Sequence, residues 1–158
     1  MRGAFEDIEV GVPRETASRT VTAEEIVAFA AEFDPQPFHL DPEAAKDSVF
    51  GGLCASGWHT ASLLMRLQMD AWKSEYSLGS PGFDNLRWVR PLRPGDTIHV
   101  RSTCIDKRPS RSKPDRGSAT WKTEVVNQKD EVVLDAELIG MYLKRDARPP
   151  RRMTGNLR

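Results

Sequence analysis

The chain has 158 residues and equal numbers of basic and acidic side chains, 23 Lys and Arg against 23 Asp and Glu, so no global field favours nucleic acid or an anionic surface. A chain of this length forms one domain and can bury roughly 70% of the surface that it exposes when unfolded. The two cysteines, Cys54 and Cys104, lack metal-ligand spacing, and the first seven residues carry no apolar targeting stretch. Reduced thiols, a cytoplasmic location and no membrane association are therefore expected.

Short strands are expected near Phe5–Val10 and Thr16–Thr20. Thr22-Ala23-Glu24-Glu25 then reads as a capping box, and Ile26, Phe29, Ala30 and Phe33 recur at helical spacing, which predicts a helix over Ala23–Phe33. Asp34-Pro35-Gln36-Pro37-Phe38-His39-Leu40-Asp41 follows. The residue before each proline avoids the α region, so Asp34 and Gln36 sit in a stiff, extended or turning segment. Such a segment can aim Asp34 and His39 at one small volume, as general acid and base chemistry requires. Asp34 falls just past a helix C-terminus, where unsatisfied carbonyls disfavour negative charge, and its proton affinity is expected to rise. Taken singly, Asp34 also fits a turn residue and His39 a packed core imidazole. Asp41 before Pro42 is an N-cap.

From Ser48 to Met65 there is no charged residue. Ser56 can cap a helix whose first residue, Gly57, offers a bare amide with no β-carbon in front of it. A carbonyl oxygen docked there would be stabilised as it gains negative charge. From Trp58 onward, Ala61, Leu63, Leu64, Met65, Leu67, Met69 and Trp72 make this helix apolar on most of its circumference, and hence buried. His59 lies in its first turn, close to Gly57, and is most simply a packed histidine. Trp58 and Trp88 fit packing or pocket lining.

After Trp72 the period changes. Strands are expected at Asn85–Arg90, Thr97–Ile105, Ala119–Val126 and Val132–Leu143, with turns at Pro94-Gly95-Asp96 and Asn127–Asp130 and a polar, basic loop at Asp106–Arg116. One early buried helix followed by successive strands reads as α+β, an antiparallel sheet wrapped around a long central helix. Residues 1–146 form that single domain, and 147–158 a C-terminal basic tail or arm.

The pattern Asp-x-x-Pro-x-His-x-Asp over Asp34–Asp41, followed by Gly57 at the head of an apolar helix, resembles the MaoC-like dehydratases, which include the R-specific enoyl-CoA hydratases. The resemblance runs from Thr22 to Leu67 and more loosely through Arg90–Asp96. It implies the hotdog fold, with the catalytic Asp at Asp34, the catalytic His at His39 and the oxyanion-binding glycine at Gly57. Gln36, Phe38, Ser56, Trp58 and His59 would surround the substrate. Gln36 stands where the family usually has Asn, Ser56 where it usually has His, and Met65 where some members place a serine. Those departures bear on which acyl group fits.

The activity so implied is reversible hydration of a trans-2-enoyl-CoA to the (R)-3-hydroxyacyl-CoA. It needs no metal or cofactor and takes an acyl-CoA thioester as substrate. A homodimer or higher homo-oligomer is the expected assembly, with the pocket at or near the interface. The alternatives are a hotdog acyl-CoA thioesterase and a non-catalytic acyl-thioester-binding subunit. Phosphate contact by the basic loop 107–116, and a pocket-mouth position for Arg90 and Arg93, are further expectations beside a plain solvated hairpin tip.

Overall fold

The computed structural model describes residues 3–147, so the tail expected at 147–158 lies outside the described residues except for Ala147. The chain opens with a 3₁₀ turn at Phe5–Asp7, where a strand was expected, and Val10 makes only an isolated bridge to Cys104. Two short strands follow, β1 (Pro13–Glu15) and β2 (Arg19–Thr20).

Helix α1 covers Ala23–Phe33 as the periodicity predicts. Its capping box is closed: Glu25 N–H donates to Thr22 Oγ1 at 3.2 Å and Thr22 N–H to Glu25 Oε2 at 2.9 Å. Two donors that would otherwise be orphaned are thereby satisfied. The predicted apolar stripe divides, because Ile26 and Ala30 are buried whereas Phe33 is 64% exposed. Two proline-started single-turn helices come next, α2 (Pro37–Leu40) and α3 (Pro42–Lys46), the second capped by Asp41, which accepts from Glu43 N–H at 2.8 Å. The segment from Asp34 to Gln36 is non-helical, as the prolines require, and His39 sits on the single helical turn that follows.

Helix α4 (Gly57–Trp72) starts at its Ser56 cap. Four long strands follow: β3 (Ser77–Trp88), β4 (Thr97–Pro109), β5 (Arg116–Val126) and β6 (Val132–Leu143). Their order is β1-β4-β5-β6-β3, every pairing is antiparallel, and β2 joins β4 off this path. This is the hotdog arrangement. Leu63, Leu64 and Leu67 of α4 pack with Ile98 and Val100 of β4, Val125 of β5 and Val133 and Leu134 of β6. Such contacts bury each leucine for roughly 1.5–3 kcal/mol.

Three expectations need correction. The loop expected at Asp106–Arg116 shrinks to six residues, because β4 and β5 stay paired out to Pro109 and Gly117. Strand β3 begins at Ser77, not Asn85, and takes in Gly79, Pro81 and Gly82 as an edge strand that shifts register three times. Helix α4 is not covered on most of its circumference in the single chain, since Met69 is 46% exposed and Met65 half-buried.

Candidate active site

Two helix ends and one strap of backbone bring the site together. Asp34 is the C-cap of α1, and its own N–H donates to Ala30 C=O at 2.9 Å. His39 on α2 is buried, and its Nδ1–H donates to the carbonyl of Cys54 at 2.7 Å. In the neutral imidazole that bond leaves the lone pair on Nε2. Nε2 faces Asp34 Oδ2 at 3.5 Å. The residues between Asp34 and His39 thus place an anion and an imidazole side by side.

The carboxylate is held on both oxygens. Gln36 Nε2 donates to Oδ1 at 2.7 Å, and Ser56 Oγ–H donates to Oδ2 at 2.6 Å. Together these bonds set the proton affinity of Asp34 below that of an ordinary carboxylate; the Ser56 hydroxyl is the largest cause, burial opposes it, and Gln36 and His39 add to it. This reverses the expected rise. The carbonyls at the end of α1 act weakly here compared with two donors bonded directly to the ionised form.

Ser56 also accepts from Trp58 N–H at 3.3 Å, so one hydroxyl ties the carboxylate to the start of α4. Gly57 follows directly. A β-carbon at this position would lie 2.3–2.5 Å from three atoms of the Trp88 indole, so the ring occupies the space that any side chain would need. Trp88 meets Trp58 edge to face, with centroids 5.3 Å apart. Among the described residues no protein acceptor is recorded for the Gly57 N–H, as expected of the first turn of a helix.

These groups border a cavity of about 620 Å³. Of the expected residues, Asp34, Gln36, Phe38, His39, Gly57 and Trp58 line it. Ser56 does not line it and is fully buried behind Asp34. His59 does not line it either: it stacks on Phe29 at 4.7 Å, its Nδ1 has no hydrogen-bond partner, and burial pushes its proton affinity down. Phe33, Phe50, Cys54, Ala55, Thr60, Val89, Pro91 and Leu92, which the sequence did not mark as site residues, also line it. The exposed end of the α1 stripe was the available signal for Phe33.

The arginines separate. Arg90 lines the cavity and donates to Val132 C=O at 3.1 Å. Arg93 turns away and clamps a loop, donating from Nη1 to Gly52 C=O at 2.7 Å and from Nη2 to Phe50 C=O. That clamp steadies the segment whose next residue, Cys54, orients His39. Of the basic residues expected in the loop, Lys107 and Arg108 lie on β4 and Arg116 on β5; Lys107 donates to the Ile8 carbonyl at 2.7 Å, Arg108 pairs with Asp106 at 2.6 Å and Arg116 with Asp115 at 2.8 Å. None of these residues lines the cavity. Among the described residues no group of three His, Cys, Asp or Glu is arranged to hold a metal ion, and no helix is long and apolar enough to cross a membrane.

The sequence model of the family described as MaoC like domain matches residues 7–134. The crystal structure of a MaoC-like dehydratase from Rhodospirillum rubrum superposes with a TM-score of 0.86 at 43% identity, covering 91% of this chain and 99% of that one. The R-hydratase PhaJ1 of Pseudomonas aeruginosa, in its unliganded form, gives a TM-score of 0.72 at 25% identity, with 96% of each chain covered. The 3-hydroxybutyryl-CoA dehydratase of Methylorubrum extorquens is 29% identical over 151 residues, which is 92% of this chain and 88% of that protein. The chain spans only 36% and 53% of two other curated relatives that it matches.

Proposed function

The chain belongs to the MaoC-like domain family, and from that membership we propose that it is a hydro-lyase that adds water reversibly to a trans-2-enoyl-CoA, giving the (R)-3-hydroxyacyl-CoA. The observation that carries this reading is the pairing of Asp34 Oδ2 with His39 Nε2 at 3.5 Å on the wall of a cavity that Gly57 also borders. The dehydratase and hydratase activities named for the similar Methylorubrum and Pseudomonas proteins support the reaction class.

A water held between Oδ2 and Nε2 donates one hydrogen to each. As its oxygen bonds to the β-carbon, one O–H bond breaks and the dyad takes the proton; the conjugated double bond shifts its electrons toward the thioester carbonyl. The Gly57 N–H, at the positive end of α4, receives the negative charge that develops on that oxygen. The dyad then returns the proton to the α-carbon, and a molecule of water has been added across the double bond. With its proton affinity lowered, Asp34 stays ionised at neutral pH. It can orient the water and steady the imidazolium without itself having to be a strong base.

The test is loss of conjugated-enoyl absorbance across a panel of enoyl-CoA esters of different chain length. Asp34→Asn should lower turnover by roughly 10²-fold or more. Full activity in that variant would remove the carboxylate from the mechanism.

The acting form is a homodimer. Strand β3 leaves one long edge unpaired, and Phe83 and Trp88 on it are exposed together with Met69 on α4. A second copy would cover both the free backbone groups and the apolar side chains.

A further inference from the structure

His39 can take a proton from water only at a nitrogen that carries a lone pair, and which nitrogen that is depends on the far side of the ring. A carbonyl oxygen only accepts, so Nδ1 holds the hydrogen where it faces Cys54 C=O at 2.7 Å. The tautomer therefore rests on where the backbone at Cys54 is seated.

Cys54 lies in a strap, residues 50–55, that has neither helix nor strand. Gly51 and Gly52 are part of it, and glycine has the most backbone freedom to lose, so the strap does not hold its own shape. Its later end is tied down, with Cys54 N–H donating to Phe38 C=O at 3.3 Å and Ala55 N–H to Leu92 C=O at 2.9 Å. Before that point the ties come from one side chain. Arg93 Nη1 donates to Gly52 C=O at 2.7 Å and to Leu53 C=O at 3.3 Å, and Nη2 donates to Phe50 C=O. Among the described residues these three carbonyls have no other recorded donor. Arg93 is itself seated: its backbone N–H donates to Asp96 Oδ2 at 2.8 Å, and Gln128 Nε2 holds Asp96 Oδ1 at 2.8 Å.

We propose that Arg93 is a positioning residue for the hydration: by clamping the strap it seats the Cys54 carbonyl, which fixes His39 in the Nδ1–H tautomer and leaves Nε2 free for the water. This rests on the hydratase reading. The guanidinium does not line the cavity, so it acts through the strap and not on the substrate. Its planar fork can serve several carbonyls at once, which the point charge of a lysine does less well.

Nitrogen-15 NMR of histidine-labelled protein, at a pH where the rings are neutral, reads the tautomer of each of the three histidines, with His59→Phe and His99→Gln assigning the signals. Wild-type His39 is expected as the Nδ1–H form, and Arg93→Gln as a mixture with the Nε2–H form. In the same variant kcat should fall by about tenfold or more with KM little changed, and Arg93→Lys should recover part of both signals. If Arg93→Gln fails to fold, Arg93→Lys carries the comparison, with a smaller shift of the same sign. The proposal is overturned if wild-type His39 is the Nε2–H form, if the folded variants keep the wild-type tautomer or kcat, or if KM rises while kcat stays, as for a substrate-binding residue. A wild type inactive on every enoyl-CoA would instead overturn the hydratase reading, and the tautomer of the resting protein would still decide what Arg93 does.

Discussion

The hydroxyl of Ser56 donates to Asp34 and accepts from Trp58 N–H, so removing it loosens the carboxylate and the start of α4 together. In Ser56→Ala the proton affinity of Asp34 should climb back toward that of an ordinary carboxylate. The acid limb of the pH–rate profile should then move to higher pH, and Ser56→Thr, which keeps the hydroxyl, should move it back. A profile that does not shift would leave Ser56 with a capping role only. His59 bears on stability. Burial lowers its folded proton affinity, so the unfolded chain binds the extra proton first, and stability falls as pH drops below about 6.5, the ordinary histidine value, until the folded group also titrates. His59→Phe should flatten the fall of melting temperature across that acid range, which thermal melts at several pH values would read. The dyad was legible in the sequence because proline fixed the backbone on both sides of Gln36. The direction of the Asp34 shift was not, because the donor that decides it lies 22 residues away and becomes a neighbour only when α4 docks.

At the scale of elements, the close approach of α4 and β3 is what shapes the site. Gly57→Ala forces the Trp88 ring to move, since the new methyl would sit 2.3 Å from it. Trp88 is 47% exposed in the single chain, so its ring can shift and the protomer should still fold. The reshaped wall should nonetheless cost at least tenfold in kcat/KM, an estimate of about 1.4 kcal/mol in transition-state binding. Unchanged kinetics would separate Gly57 from the acyl site. Helices α1 and α4 were legible because caps and periodicity agreed at both starts. Strand β3 was misplaced for a physical reason: glycine and proline mark turns in most contexts, and only the pairing of β3 with β6 reveals that here they bend an edge strand. The clamp by Arg93 was equally hidden, since a guanidinium that serves three backbone carbonyls has no sequence pattern of its own.

For the whole molecule, the test is assembly. Light scattering should give twice the 17.7 kDa of the chain, and a species of 17.7 kDa alone would count against the dimer. The fold class was legible because one apolar helix preceded an unbroken series of strands, but the uncovered face of α4 was not, because a hydrophobic stripe does not say which chain will cover it. The bent edge of β3 carries one more consequence. Its three register shifts, the proline at position 81 and the positive φ of Gly79, Gly82 and Asn85 prevent a flat ladder from forming along it. A newly made protomer, still alone, therefore resists docking by foreign β-segments and the start of fibrils, because only a surface with the same sequence of kinks can satisfy it.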